Sequence, residues 1–138
     1  MNRPAGYSGT PLAKKLGIKP GMVVGLIGDP PGFADVLGKL PEGARLSAGA
    51  RARGGLLIWF VRRERELAAG IVRIAGLANE SPLWIAWSKK TARPVPASGP
   101  DENAVRNAGL AVGLVDYKVC AIDETWSGLL FARRRSVN

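Results

Sequence analysis

Two hydrophobic periods alternate along this chain. Met22 to Ile27, Leu56 to Val61 (LLIWFV) and Leu83 to Ser88 (LWIAWS) are short, nearly unbroken apolar runs, the pattern of strands covered on both faces. Between them, Phe33, Val36, Leu37 and Leu40 follow i, i+3, i+4, i+7 spacing, which predicts a helix opening at Pro30 or Pro31 and ending at Pro41-Glu42-Gly43. Leu67, Ile71, Ile74 and Ala78 form one stripe of a helix from Arg63 to Ala78. Asp101 and Glu102 favour a helix N-terminus electrostatically, and that helix runs to about Gly113. Pro11 to Leu16 reads as a helical turn, with Thr10 as N-cap and Gly17 as its stop. A short strand follows from Ala44 to Ala48, and the last strands, Val115 to Ile122 and Leu129 to Arg134, form a hairpin across DETWSG.

Strands alternating with helices predict an α/β fold: a three-layer, Rossmann-like sandwich with helices on both faces of a mostly parallel sheet. In chain order the expected strand order is 2-1-3-4-6-5, with the closing hairpin adding an antiparallel strand at or near an edge. The 138 residues form one domain, with residues 1–10 as a flexible arm and 134–138 as a frayed tail. The Pro/Ser-rich stretch TARPVPASGP (91–100) is too short to separate domains.

Composition narrows the chemistry. The chain has no histidine, which excludes a Ser-His-Asp triad, a Cys-His pair and a histidine-ligated metal. A single cysteine excludes an internal disulfide framework and fits a cytoplasmic setting. No apolar run reaches the roughly 20 residues of a membrane span, and the first residues lack a signal peptide's apolar stretch. The net charge of +9 favours an anionic small molecule, an acidic partner or nucleic acid.

The run Leu16-Gly17-Ile18-Lys19-Pro20-Gly21 before the first strand, with the element order and final hairpin, resembles a class I methyltransferase domain. Against that family the chain is short by about one helix-strand-helix unit, lost between the second and third strands. Gly6 to Met22, Trp84 to Lys90, Gly113 to Leu129 and the arginine tail are similar to a family of short bacterial proteins, domain of unknown function 3052. That second resemblance implies a fold and no activity.

In the methyltransferase resemblance, Gly28-Asp29-Pro30-Pro31-Gly32 stands where a glycine motif lets backbone approach S-adenosylmethionine. Pro30 replaces the middle glycine, fixing φ and removing an N–H donor. Leu26 stands where those enzymes commonly carry an acidic residue, and Ser47, Ala48 and Gly49 stand where a carboxylate would hold the ribose. These departures argue against S-adenosylmethionine as a cofactor and against catalysis that depends on it. No other cofactor and no metal is implied.

Ligands of open α/β sheets bind beyond the carboxyl ends of the strands. That rule places the candidate cleft at Gly28, Asp29, Arg62, Arg63, Lys89, Lys90, Asp123, Glu124 and Trp126, a mainly cationic rim for a phosphate or carboxylate. The expected role is a non-catalytic binding or regulatory module. The alternatives are a degenerate methyltransferase and a nucleic-acid binder without sequence preference, for which the chain carries no recognised motif.

Asp123 and Glu124 could form an acid/base pair, but adjacent strand residues point to opposite faces. Their simpler role is to accept turn hydrogen bonds or to pair with Arg133 or Arg134. Cys120, mid-strand and without a histidine to activate it, reads as packing. Trp59, Trp84 and Trp87 read as core, whereas Trp126 sits in a polar turn where it would meet a ligand or partner. Asp116 and Lys118 alternate with Tyr117 and Val119, so one face of the outer strand is expected to be partly exposed and to offer a route to self-association.

Overall fold

A computed structural model describes residues 11–49, 55–78, 81–89 and 99–134. The arm and its Thr10 cap, Arg51 and Arg53, Lys90, most of the 91–100 linker and the tail from Arg135 lie outside these residues.

Ten elements follow one another: α1 (Leu12–Lys15), β1 (Val23–Ile27), α2 (Phe33–Leu37), β2 (Arg45–Ala48), β3 (Leu56–Val61), α3 (Glu64–Leu77), β4 (Leu83–Ser88), α4 (Glu102–Ala111), β5 (Leu114–Ala121) and β6 (Trp126–Arg133). The six strands form one sheet in the order β2-β1-β3-β4-β6-β5. β2, β1, β3 and β4 are parallel, while β6 runs antiparallel to both β4 and β5. Strand order and hairpin match the expectation from the apolar runs.

The apolar runs were unbroken because both sheet faces are covered. Leu56, Ile58, Phe60, Trp84 and Ala86 point into one core, beneath α1 and α2. Leu57, Trp59, Val61, Leu83, Ile85 and Trp87 point into the other, beneath α3 and α4. The stripe Leu67, Ile71, Ile74 and Ala78 is buried as its spacing predicts. Trp84 joins sheet to helix on the first face: its indole Nε1 donates to the Leu16 carbonyl at 2.9 Å, holding the end of α1 against β4. Asp101 caps α4, its carboxylate accepting from the Ala104 N–H at 2.9 Å.

Most element boundaries shift by one or two residues from the expected ranges, and those of α1, α2 and β6 have local causes. α1 starts one residue later, after Pro11. α2 begins at Phe33 rather than at either proline, because Gly32 adopts a left-handed conformation (φ 81°) in which the helix cannot propagate. It ends at Leu37, before Gly38 (φ 73°), so Leu40 packs on the core from outside the helix. β6 starts three residues earlier than expected, at Trp126, because Ser88 of β4 pairs with it and Asp123 folds the preceding turn tightly.

β5 is an edge strand with an irregularity between Asp116 and Lys118. The extra residue re-phases the side chains. Asp116 turns toward α4, its carboxylate 3.0 Å from Arg106, whereas Lys118 turns toward α1 and donates to the Lys15 carbonyl at 2.7 Å. Tyr117 and Val119 are each 57% exposed, but Asp116 and Lys118, expected on one face, reach opposite layers, so the simple alternation does not carry through the strand.

Candidate functional site

The parallel strands deliver Gly28, Arg62 and Lys89 to one edge of the sheet, and β6 begins at that same edge with Trp126. Gly28 follows β1 with φ 70°, a conformation that favours glycine. A Cβ there would lie 3.0 Å from the Phe60 carbonyl oxygen and 3.5 Å from Arg62 Nη1. β1 therefore turns away from the sheet in close contact with the end of β3.

Arg62 closes that corner. Its Nη1 donates to the Gly28 carbonyl at 2.8 Å, and its guanidinium carbon lies 5.2 Å from the Trp126 ring centroid, within range of a cation–π contact. Its backbone N–H donates to Glu66 Oε1 at 2.7 Å, a carboxylate in the first turn of α3. Below the guanidinium, Trp126 meets Phe60 edge-on at 5.1 Å, and Phe60 meets Phe33 edge-on at 4.9 Å. This aromatic stack links β6, β3 and α2. It leaves Trp126 only 6% exposed, so the residue expected to greet a ligand from a polar turn is instead the floor beneath Arg62.

The other half of the rim is built on the β5–β6 turn. Asp123 Oδ1 accepts from the Thr125 and Trp126 N–H groups, both at 2.8 Å. Lys89 grips the same turn twice: its N–H donates to the Thr125 carbonyl at 2.7 Å and its Nζ to the Asp123 carbonyl at 2.6 Å. Of the two roles read for Asp123, the turn role is the one found. Pairing with Arg133 or Arg134 is excluded by topology, since β6 carries those arginines to the opposite end of the sheet.

Gly28, Arg62 and Trp126 are thus brought together, as are Lys89 and Asp123. Asp29, Arg63 and Glu124 lie exposed on neighbouring loops, and Lys90 falls outside the described residues. Two participants were absent from the sequence reading. Glu66 had a signal, an acidic residue in the first turn of a predicted helix. The Gly28 carbonyl had none, because a backbone acceptor is identified only by what comes to lie opposite it.

The electrostatics of the rim are particular. Among the described residues, Arg62, Arg63 and Lys89 take part in no ion pair. Arg62 and Lys89 donate to neutral carbonyls, which fix their positions without cancelling their charge. The Asp123 and Glu66 carboxylates are held on backbone N–H groups. Among the described residues, no group of three or more His, Cys, Asp or Glu side chains could hold a metal ion.

No protein-family model matches the chain, and no curated protein matches it in sequence. Among solved structures, the chain is similar to a SAM-dependent methyltransferase from Aquifex aeolicus, at a TM-score of 0.54 and 13% identity, over 87% of this chain and 86% of that one. At that identity the likeness concerns the fold, which is Rossmann-like and methyltransferase-like. Among the described residues no helix is long and apolar enough to cross a membrane.

Proposed function

We propose that this protein is a non-catalytic binding or regulatory module, and that its rim at the carboxyl ends of the strands takes a phosphate or carboxylate group of a small anionic ligand. One observation carries the reading: Arg62 is anchored on the Gly28 carbonyl and the Trp126 ring with its charge uncancelled. An anion at this corner would meet a guanidinium already held in place, gaining charge-assisted hydrogen bonds at little ordering cost. Arg63 follows Arg62 in the same β3–α3 connection, and Lys89 follows the neighbouring strand β4.

The same side chain weighs against an inherited cofactor. In the methyltransferase arrangement the glycine turn after the first strand presents bare backbone to S-adenosylmethionine. Here Arg62 covers the carbonyl of that turn, and Pro30 withholds an N–H. The fold likeness favours the second reading, a shortened methyltransferase with a degenerate loop. Membership in the family of short bacterial proteins and a cytoplasmic setting belong to the same proposal.

Two measurements separate the readings. Inorganic pyrophosphate is expected to raise the thermal unfolding midpoint of the parent protein, and Arg63→Ala with Lys89→Ala is expected to abolish that protection. No protection in the parent, or equal protection in the variant, overturns the rim as an anion site. Calorimetry with S-adenosylmethionine and its demethylated product is expected to show no binding; micromolar affinity for either would favour the enzyme.

A further inference from the structure

Among the described residues positive charge is unevenly distributed, and the topology says why. Each helix that follows a parallel strand starts at the carboxyl rim, and its first turn carries acids that suit the helix dipole: Asp35 in α2, Glu64 and Glu66 in α3, and Glu102 in α4. Asp29, Asp123 and Glu124 lie on loops at the same rim. Among the described residues, acids therefore outnumber cations at the carboxyl rim as a whole, where the Arg62 corner is a local cationic site rather than part of a cationic rim, and the excess of cations falls at the opposite end.

That opposite pole is formed by the starts of β1, β2 and β5, the end of β6 and the loop that follows α2. Lys19 sits in the turn entering β1, Lys39 follows the end of α2, and Arg45 is the first residue of β2. Arg133 ends β6, and Arg134 follows it with its N–H on the Gly113 carbonyl at 2.8 Å. All five are exposed, and among the described residues none takes part in an ion pair. The Gly21 N–H bonds the Glu42 carbonyl at 2.9 Å, tying the loop after α2 to the β1 turn, so Lys19 and Lys39 belong to one surface. Arg133 donates Nη2 to the Ala75 carbonyl near the end of α3 at 2.8 Å, again a neutral partner that fixes the side chain and leaves its charge. Of the described acids at this pole, Glu42 is exposed and Asp116 is already bridged to Arg106.

We infer that this pole is a docking surface for the phosphate backbone of duplex nucleic acid, bound without sequence reading. The cations run from Arg45 at the start of β2, past Lys19 at β1, to Arg133 and Arg134 at the end of β6, four strand spacings or about 19 Å at ~4.8 Å per strand. A row of that length suits a rod carrying a phosphate charge every ~1.7 Å of its axis. Arginine predominates, and its planar fork matches phosphate oxygens. Among the described residues the surface lacks what other polyanion partners use. The exposed aromatic Tyr117 lies mid-strand on β5, away from the pole, so unpaired bases have no stacking platform there. Leu110 and Val115, the exposed apolar side chains nearest the pole, are only 37% accessible, too little for the apolar face that anchors a surface helix in a bilayer.

The test uses the full chain and a fluorescein-labelled 20-base-pair duplex, followed by anisotropy across a salt series. The parent is expected to bind at low salt with affinity falling steeply as salt rises. Arg45→Ala with Arg134→Ala should weaken binding about tenfold or more and reduce the log–log salt slope by about two, one per lost phosphate contact. Lys19→Ala with Lys39→Ala, which touches no described side-chain bond, should show the same loss. The control, Lys14→Ala with Arg65→Ala, removes equal charge from exposed sites on α1 and at the start of α3 and should change affinity by less than twofold. Absence of duplex binding at low salt overturns the inference. So does an equal loss in the control, undiminished binding by either pole variant, or a preference for phosphatidylserine vesicles or unpaired strands over the duplex.

Discussion

Arg62 and Trp126 face each other across the rim, guanidinium carbon to ring centroid at 5.2 Å, although 64 positions separate them in the chain. The pair exists because β3 ends where β6 begins, with β4 between them as their common neighbour. Arg62 adds the Gly28 carbonyl to this contact and so ties β1, β3 and β6 at one corner.

Arg62→Ala should lower stability by about 0.5–2 kcal/mol, a modest loss because the side chain is solvent-exposed. Arg62→Lys keeps the charge but not the planar fork, so it should recover only part of that loss. Urea unfolding of the three proteins checks this; a parent-like midpoint for the alanine variant would show that the corner contributes nothing.

Gly28→Ala and Gly32→Ala both place a side chain on a left-handed backbone, at φ 70° and 81°. That strain costs about 1–2 kcal/mol. At Gly32 nothing lies within 4 Å of the added carbon, whereas at Gly28 the Phe60 carbonyl oxygen lies 3.0 Å from it. Gly28→Ala should therefore be the more destabilising of the two in equilibrium unfolding, and the reverse order would contradict the close approach of β1 to β3.

Trp84→Phe removes the indole donor that reaches the Leu16 carbonyl at 2.9 Å from a fully buried position. The expected cost is about 1–3 kcal/mol, because a buried acceptor loses its partner and a void replaces part of the ring. Amide exchange should show the larger local effect at Leu16 and Ile18, where α1 meets the sheet.

Burial pushes the Cys120 thiol above its ordinary value, although Lys15 and Lys118 pull it the other way. The unfolded thiol releases its proton first, so this contribution to stability is full below the ordinary thiol pKa of about 8.5 and is lost as pH rises through the higher folded value. Urea midpoints compared at about pH 8 and about pH 10 should fall more for the parent than for Cys120→Ala. The Tyr117 phenol, also raised by burial, adds a loss of the same sign to both proteins.

The apolar runs VVGLI, LLIWFV and LWIAWS determined the central strands by themselves, since burial on both faces leaves no polar position to break them. Alternation with helices then fixed the parallel core, and the short connection after β5 fixed the hairpin. Backbone geometry and one-dimensional burial suffice for those inferences. Tertiary structure alone decided the rest. Trp126 read as exposed because its neighbours in sequence are polar, yet it is buried because Ser88 of β4 pairs with it and Arg62 covers it. Arg62 read as one charge in a cationic cluster, yet its partner is a backbone carbonyl 34 residues away, which no local pattern marks. Composition sets the total charge at +9, but only the direction of each strand and helix decided that, among the described residues, acids collect at the carboxyl rim and arginines outside any ion pair at the far pole. Period and composition are local properties of a chain; charge distribution and contact are properties of the register in which its strands assemble.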